Sequence, residues 1–140
     1  MKRTRNHPQS GLTLFELLIV LSILALLATL VAPRVVGYLG RAKSDIARSN
    51  AANIAASLEL FYLDFGRYPG PQEGLAALKS PPPESEALWR GPYVKDELDF
   101  NDPWGRRFLY SVSGDAFEVR SLGRDGIEGG DGEDADISKS

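Results

Sequence analysis

An α+β fold follows from three features of the sequence. The run from Leu12 to Ala32 is almost uncharged, the stretch beyond it to Gly66 keeps helical periodicity with one apolar face, and the remainder exchanges that periodicity for turns and short alternating segments. The predicted architecture is a long N-terminal helix, transmembrane at its start and amphipathic beyond, packed on a small antiparallel β-sheet with a C-terminal metal-binding loop. Of 140 residues, about 35 are committed to leader and apolar run, so roughly 100 remain, enough for one small domain. The expected segments are a basic leader over 1–11, a transmembrane part over 12–36, an amphipathic part over 37–66, and an α+β domain over 67–140 whose acidic glycine-rich loop spans 123–137.

From Leu12 to Ala32 the only charge is Glu16, and Thr13, Ser22 and Thr29 can return their hydroxyls to their own helix. At ~1.5 Å per residue such a run covers about 31 Å, sufficient for a hydrocarbon core of about 30 Å and longer than a secretory h-region. A carboxylate near one end of an apolar helix is a functional-site hypothesis that requires a partner. Lys2, Arg3 and Arg5 form a short basic leader ending at Gly11, and Leu30-Val31-Ala32-Pro33-Arg34 offers no convincing small-x-small cleavage site. Two readings compete: an uncleaved signal anchor, or cleavage before Leu12 that removes the charges and leaves the apolar run attached.

Composition excludes several classes. There is no cysteine, so no disulfide, thiolate metal site or thiol nucleophile, and His7, the only histidine, lies in the leader. An enzyme would have to work with carboxylates, tyrosine or lysine. The net charge of −3 gives no argument for a nucleic-acid partner. A small domain without disulfides needs another staple, and a metal is the leading one.

Pro33 predicts a kink in the long helix, softened further by Gly37 and Gly40. Beyond it Ile46, Asn50, Ile54, Leu58, Phe61 and Phe65 recur at i+3 or i+4, a face that packs on the carboxy-terminal domain. Gly66-Arg67-Tyr68-Pro69 ends the helix through a left-handed cap at Gly66. Pro71 to Lys79 is a short helix candidate with Leu75 and Leu78 inward, stopped by Pro81, Pro82 and Pro83. Trp89 and Trp104 sit in turn-rich phrases, where tryptophans serve better as covers of a small core than as stacking surfaces for sugar or base. Alternation at Phe108, Tyr110 and Val112, then Phe117, Val119 and Ser121 across Ser113-Gly114-Asp115, predicts a hairpin, with 93–98 the candidate third strand and a two-stranded ribbon packed on the amphipathic helix the alternative.

The loop holds Asp125, Glu128, Asp131, Glu133, Asp134 and Asp136, interleaved with Gly126, Gly129, Gly130 and Gly132. Six neighbouring carboxylates repel one another unless solvent or a cation relieves them. Glycines let carbonyls turn toward one centre, and hard oxygens suit Ca²⁺. A solvated acidic tail is the alternative. Neither the EF-hand spacing nor a stack of β-roll nonapeptides is present.

These phrases carry a resemblance. Gly11, Thr13, Leu14 and Glu16 resemble the type III signal of type IV pilins and pseudopilins, with Leu12 where that family usually has Phe. Glu73-Gly74-Leu75, Gly91-Pro92-Tyr93, Asp102-Pro103-Trp104-Gly105 and Ser121-Leu122-Gly123 with Asp125-Gly126 narrow it: in order and spacing, from Gly11 to about Ile137, the chain resembles the major pseudopilin family of the type II secretion system. The resemblance implies a type IV pilin-like fold and a structural, non-enzymatic subunit. It implies prepilin peptidase cleavage between Gly11 and Leu12, N-methylation of Leu12, and an assembly salt bridge from Glu16 to the new amine of a neighbouring subunit. It implies a structural Ca²⁺ held by Asp125, Asp136 and Asp134, with Glu133 the alternative to Asp134, and by the carbonyls of Leu122 and Ile127. Its implied partners are further copies of the chain in a homopolymer, minor pseudopilins, the inner-membrane assembly platform with its cytoplasmic ATPase, and the secretin channel. The implied location is the bacterial inner membrane, single-pass, with the C-terminal domain in the periplasm. Competing readings are a minor pseudopilin, a DNA-uptake pilin, and a membrane-anchored calcium-binding module that never polymerises.

Overall fold

In a computed structural model, residues 13–83, 85–95 and 99–140 are described. Their order is a helix α1 (Leu14–Phe65), a 3₁₀ turn (Gly74–Leu78) and strands β1 (Leu109–Ser113), β2 (Ala116–Ser121) and β3 (Ile137–Lys139). Helix α1 runs unbroken through Pro33. The chain divides into two units, the second being Leu39–Ser140.

In the first unit, α1 is one helix long and apolar enough to cross a membrane. Its large apolar side chains, from Leu14 at 85% to Ile19 at 42%, stay exposed, as a lipid- or partner-facing surface requires. Ser22 and Thr29 return their hydroxyls to the Leu18 and Leu26 carbonyls at 2.8 and 2.7 Å, which satisfies them without water.

In the second unit the core lies between α1 and the sheet. Ile54, Leu58 and Phe61 are fully buried against Leu75, Leu78, Val94, Phe100, Phe108, Phe117 and Val119. The buried face continues up the helix through Ala51, Ala47, Ser44 and Gly40. That corrects the expected stripe, because Ile46 is 51% exposed and Asn50 only half-buried. Small residues at 3–4 spacing let another segment approach the helix closely, and a large side chain there would hold it off.

Gly66, at φ +66°, donates its N–H to the Tyr62 carbonyl and ends α1. The next turn is clamped: Arg67 grips Glu73 with two bonds of 2.6 and 2.8 Å, and Glu73 also accepts the Gly70 N–H at 2.6 Å. The expected short helix forms as a 3₁₀ turn of five residues, with Leu75 and Leu78 inward as predicted. Prolines on both sides leave too little chain for a longer helix.

The sheet is antiparallel in the order β1-β2-β3. Val112 pairs with Phe117 in the predicted hairpin, and Gly114 turns it at φ +60°. The described part of the expected third strand, 93–95, is not a strand. Tyr93 instead donates its N–H to the Leu78 carbonyl and accepts the Ser57 hydroxyl on its own carbonyl, so its backbone is committed to the helical side, and 96–98 lie outside the described residues. Strand β3 takes the place beside β2, pairing Ser121 with Ile137 and Val119 with Lys139. Its register returns the chain to the sheet just after the acidic loop.

Candidate functional site

At the start of α1, Thr13 and Glu16 form a capping box. The Glu16 N–H donates to the Thr13 hydroxyl at 3.2 Å, and the Glu16 carboxylate accepts the Thr13 N–H and hydroxyl at 2.9 Å each. The Thr-x-x-Glu spacing carried that signal in the sequence, and the reading of Glu16 as an assembly residue alone missed it. Gly11 and Leu12 lie outside the described residues.

In the second unit the acidic loop begins where β2 ends. The Gly126 N–H donates to the Leu122 carbonyl, Arg124 N–H to the Glu133 carbonyl, and Asp134 N–H to the Asp131 carbonyl. Asp125 caps its own turn, accepting the Ile127 N–H at 3.0 Å. Gly123 and Gly130 have positive φ, and a Cβ on either would stand 2.6 Å from the Asp134 carbonyl oxygen. The loop therefore closes on the Asp134 backbone, and only glycine permits that approach from either side.

Guanidinium groups offset the carboxylates. Arg124 grips Asp134 through Nε and Nη2 at 2.8 and 2.7 Å and reaches Glu133 at 3.3 Å. Hydrogen bonding to Asp134 raises the Arg124 pKa above its already high ordinary value. Arg120 holds Glu128 at 2.7 Å, and Arg106 covers the Gly123 and Arg124 carbonyls. Glu133 accepts the Trp104 indole N–H at 3.2 Å and lies over Gly40 of α1, where a Cβ would meet its carboxylate. Trp89 covers the core as expected, donating to the Ala77 carbonyl, whereas Trp104 braces the loop.

The structure thus gathers Asp125, Asp134 and Asp136 with the Leu122 and Ile127 backbone into one loop, but among the described residues no three carboxylates meet at a common centre. Asp136 is distinctive. One oxygen accepts the Gly129 N–H at 3.2 Å and stands 3.9 Å from Arg120, while the other, Oδ1, is buried with no donor. A buried carboxylate oxygen without a donor is costly and fits a cation ligand. Arg124 lies within the predicted loop but its pairing was not legible there, nor were Arg120 on β2 and Arg106 in an earlier turn legible as braces of the loop.

Beneath the loop, Asp102 is 5% exposed and gathers the Ser121 hydroxyl at 2.7 Å, the Trp104 N–H at 3.0 Å and the Arg106 N–H at 2.9 Å. An open cleft beside the 3₁₀ turn, lined by Lys79, Asp99, Phe100 and Arg107 among others, carries a single carboxylate and no histidine.

Comparison with known proteins places these features. The family model described as "Type II secretion system (T2SS), protein G" matches residues 34–140, and the "Prokaryotic N-terminal methylation motif" matches 6–32. The type II secretion system core protein G of Pseudomonas aeruginosa is 41% identical over 138 residues, covering 95% of this chain and 96% of that one. Those of Xanthomonas campestris and Vibrio cholerae are 39% and 38% identical, over 92% and 98% of this chain and 88% and 94% of theirs. The crystal structure of the major pseudopilin from the type 2 secretion system of enterohaemorrhagic Escherichia coli aligns with a TM-score of 0.55 at 25% identity, over 74% of this chain and 90% of that one.

Proposed function

Because this chain belongs to the protein G family of the type II secretion system, the structural subunits called major pseudopilins, we propose a course for it from membrane to fibre. Its apolar helix and N-methylation motif mark a membrane anchor. Prepilin peptidase cleaves after Gly11 and methylates Leu12. The subunit waits in the bacterial inner membrane with its carboxy-terminal domain in the periplasm, and an assembly platform driven by a cytoplasmic ATPase adds it to a homopolymer that also holds minor pseudopilins. The fibre promotes export of folded proteins through an outer-membrane secretin.

The observation that carries this reading is the Thr13–Glu16 box at the exposed start of an apolar helix. It puts the one carboxylate of the run three residues from Thr13, the second residue of the chain left by cleavage. In a filament the amine of Leu12 on a neighbouring subunit pairs with Glu16 and sets register. Glu16→Ala is expected to leave cleavage and methylation intact, read by mass spectrometry, and to abolish incorporation into fibres, read by cross-linking of membranes. Normal incorporation would sink the register argument. An uncleaved amino terminus would favour a membrane-anchored module that does not polymerise.

The acidic loop has a second role in this reading. Asp125, Asp134, Asp136 and the carbonyls of Leu122 and Ile127 hold a structural Ca²⁺, which supplies the positive charge that Asp136 Oδ1 lacks. Glu133, the alternative to Asp134 as a ligand, also accepts from Trp104 and lies against Gly40.

A further inference from the structure

The Asp134 carboxylate is assigned above to the cation, yet both its oxygens are taken by Arg124, in the two-pronged geometry of a strong guanidinium–carboxylate pair. A guanidinium so placed repels a divalent cation at the same carboxylate. We propose that Arg124 is an internal counter-ion that competes with calcium for Asp134, holding the loop closed when the cation is absent and yielding when it arrives. This rests on the calcium reading of the loop.

Three observations make the exchange feasible. Arg124 is anchored by its backbone, its N–H on the Glu133 carbonyl and its carbonyl under Arg106, so the side chain can leave Asp134 without unfolding the turn. Its side chain is 55% exposed, so departure uncovers little. It also has somewhere to go: Glu133, already 3.3 Å away, is fixed by Trp104 and remains a partner after Asp134 is given up. Arg124 does not serve Asp136, whose buried oxygen still calls for a cation while the pair is closed.

The test uses the full chain in detergent micelles, with calcium titrated calorimetrically and melting followed in chelator and in saturating calcium. Arg124→Gln should lower the melting temperature in chelator, bind calcium about two- to fivefold more tightly, as loss of one exposed ion pair predicts, and converge on the parent melting point at saturation. Arg124→Lys keeps a charge without the two-pronged grip and a folded loop, and should tighten binding by less. Lys139→Gln removes a charge from the neighbouring strand and should leave affinity unchanged. Equal or weaker binding by both Arg124 variants, with the parent still binding, overturns the proposal and makes Arg124 a residue that positions Asp134. An equal gain in Lys139→Gln also overturns it, since net charge alone would then explain the effect. A parent that binds no calcium removes the calcium reading itself, and the competition with it.

Discussion

Replacing Asp102 by alanine removes the acceptor for three donors at once, two backbone N–H groups on Oδ1 and the Ser121 hydroxyl on Oδ2. Hydrogen bonds to a charged group contribute about 1.5–3 kcal/mol each, and donors stranded in a site only 5% exposed are poorly rehydrated. Allowing for water reaching the half-buried backbone of Trp104 and Arg106, the loss is about 3 kcal/mol. For a unit of this size that lowers the melting temperature by roughly 12 to 24 °C. Asp102→Asn keeps one carbonyl oxygen for both backbone donors, and the Ser121 hydroxyl can rotate to accept from the new amide, so the cost falls to about 1 kcal/mol. Near-ultraviolet circular dichroism of Trp89 and Trp104 during melting of the full chain in micelles reads both. An alanine variant melting within about 4 °C of the parent, or an asparagine variant as damaged as the alanine one, would refute the view that Asp102 acts by collecting donors.

Three further outcomes are expected. In 1 mM calcium, a dissociation constant on the order of 10 μM implies about 2.7 kcal/mol of stabilisation and a rise of ten degrees or more over chelator, abolished in Asp125→Ala; coincident curves would leave the loop a solvated acidic segment. Gly130→Ala, at φ +82° and with its Cβ 2.6 Å from the Asp134 carbonyl, should cost at least about 2 kcal/mol and blunt the calcium response, whereas Gly132→Ala, at φ +64° with open space, should cost about 1, and equal losses would contradict the packing described. The hydrogen bonds from Arg67, then that from the Gly70 N–H, hold the Glu73 carboxyl below its usual range. A depressed folded-state value means that this contribution is present above the unfolded pKa of about 4.3 and is lost as pH falls through the folded one, so Glu73→Gln should flatten the acid limb of a stability–pH curve, and an unchanged limb would exclude the clamp.

Helix α1 was legible because its periodicity persists for many turns, and Gly66 and Pro69 mark its end without ambiguity. Its buried face was only half legible. Ile54, Leu58 and Phe61 announce themselves by hydrophobicity, but Gly40, Ser44 and Ala47 are buried for being small, and apolar periodicity gave Ile46 a place it does not hold. Strand β3 escaped notice because three residues leave no alternation to read, and its pairing with β2 depends on the loop before it. The carboxylates of that loop stood out by density. Their braces did not: Arg106, which covers the Gly123 and Arg124 carbonyls, and Trp104, which donates to Glu133, come from another turn, and the 3.6 or 2.0 period of a local element cannot connect them.

Glu133 lies where Gly40 has no side chain, and this has a mechanical meaning. Glycine is among the weakest residues within a helix, less favourable than alanine by about 1 kcal/mol, and here its backbone is roofed by a carboxylate that Trp104 pins. When the loop opens, that roof lifts and the helix at Gly40 is left to its own poor propensity. Stiffness of α1 at this point is therefore borrowed from a distant part of the sequence, and amide exchange around Gly40 should quicken in step with that of the loop.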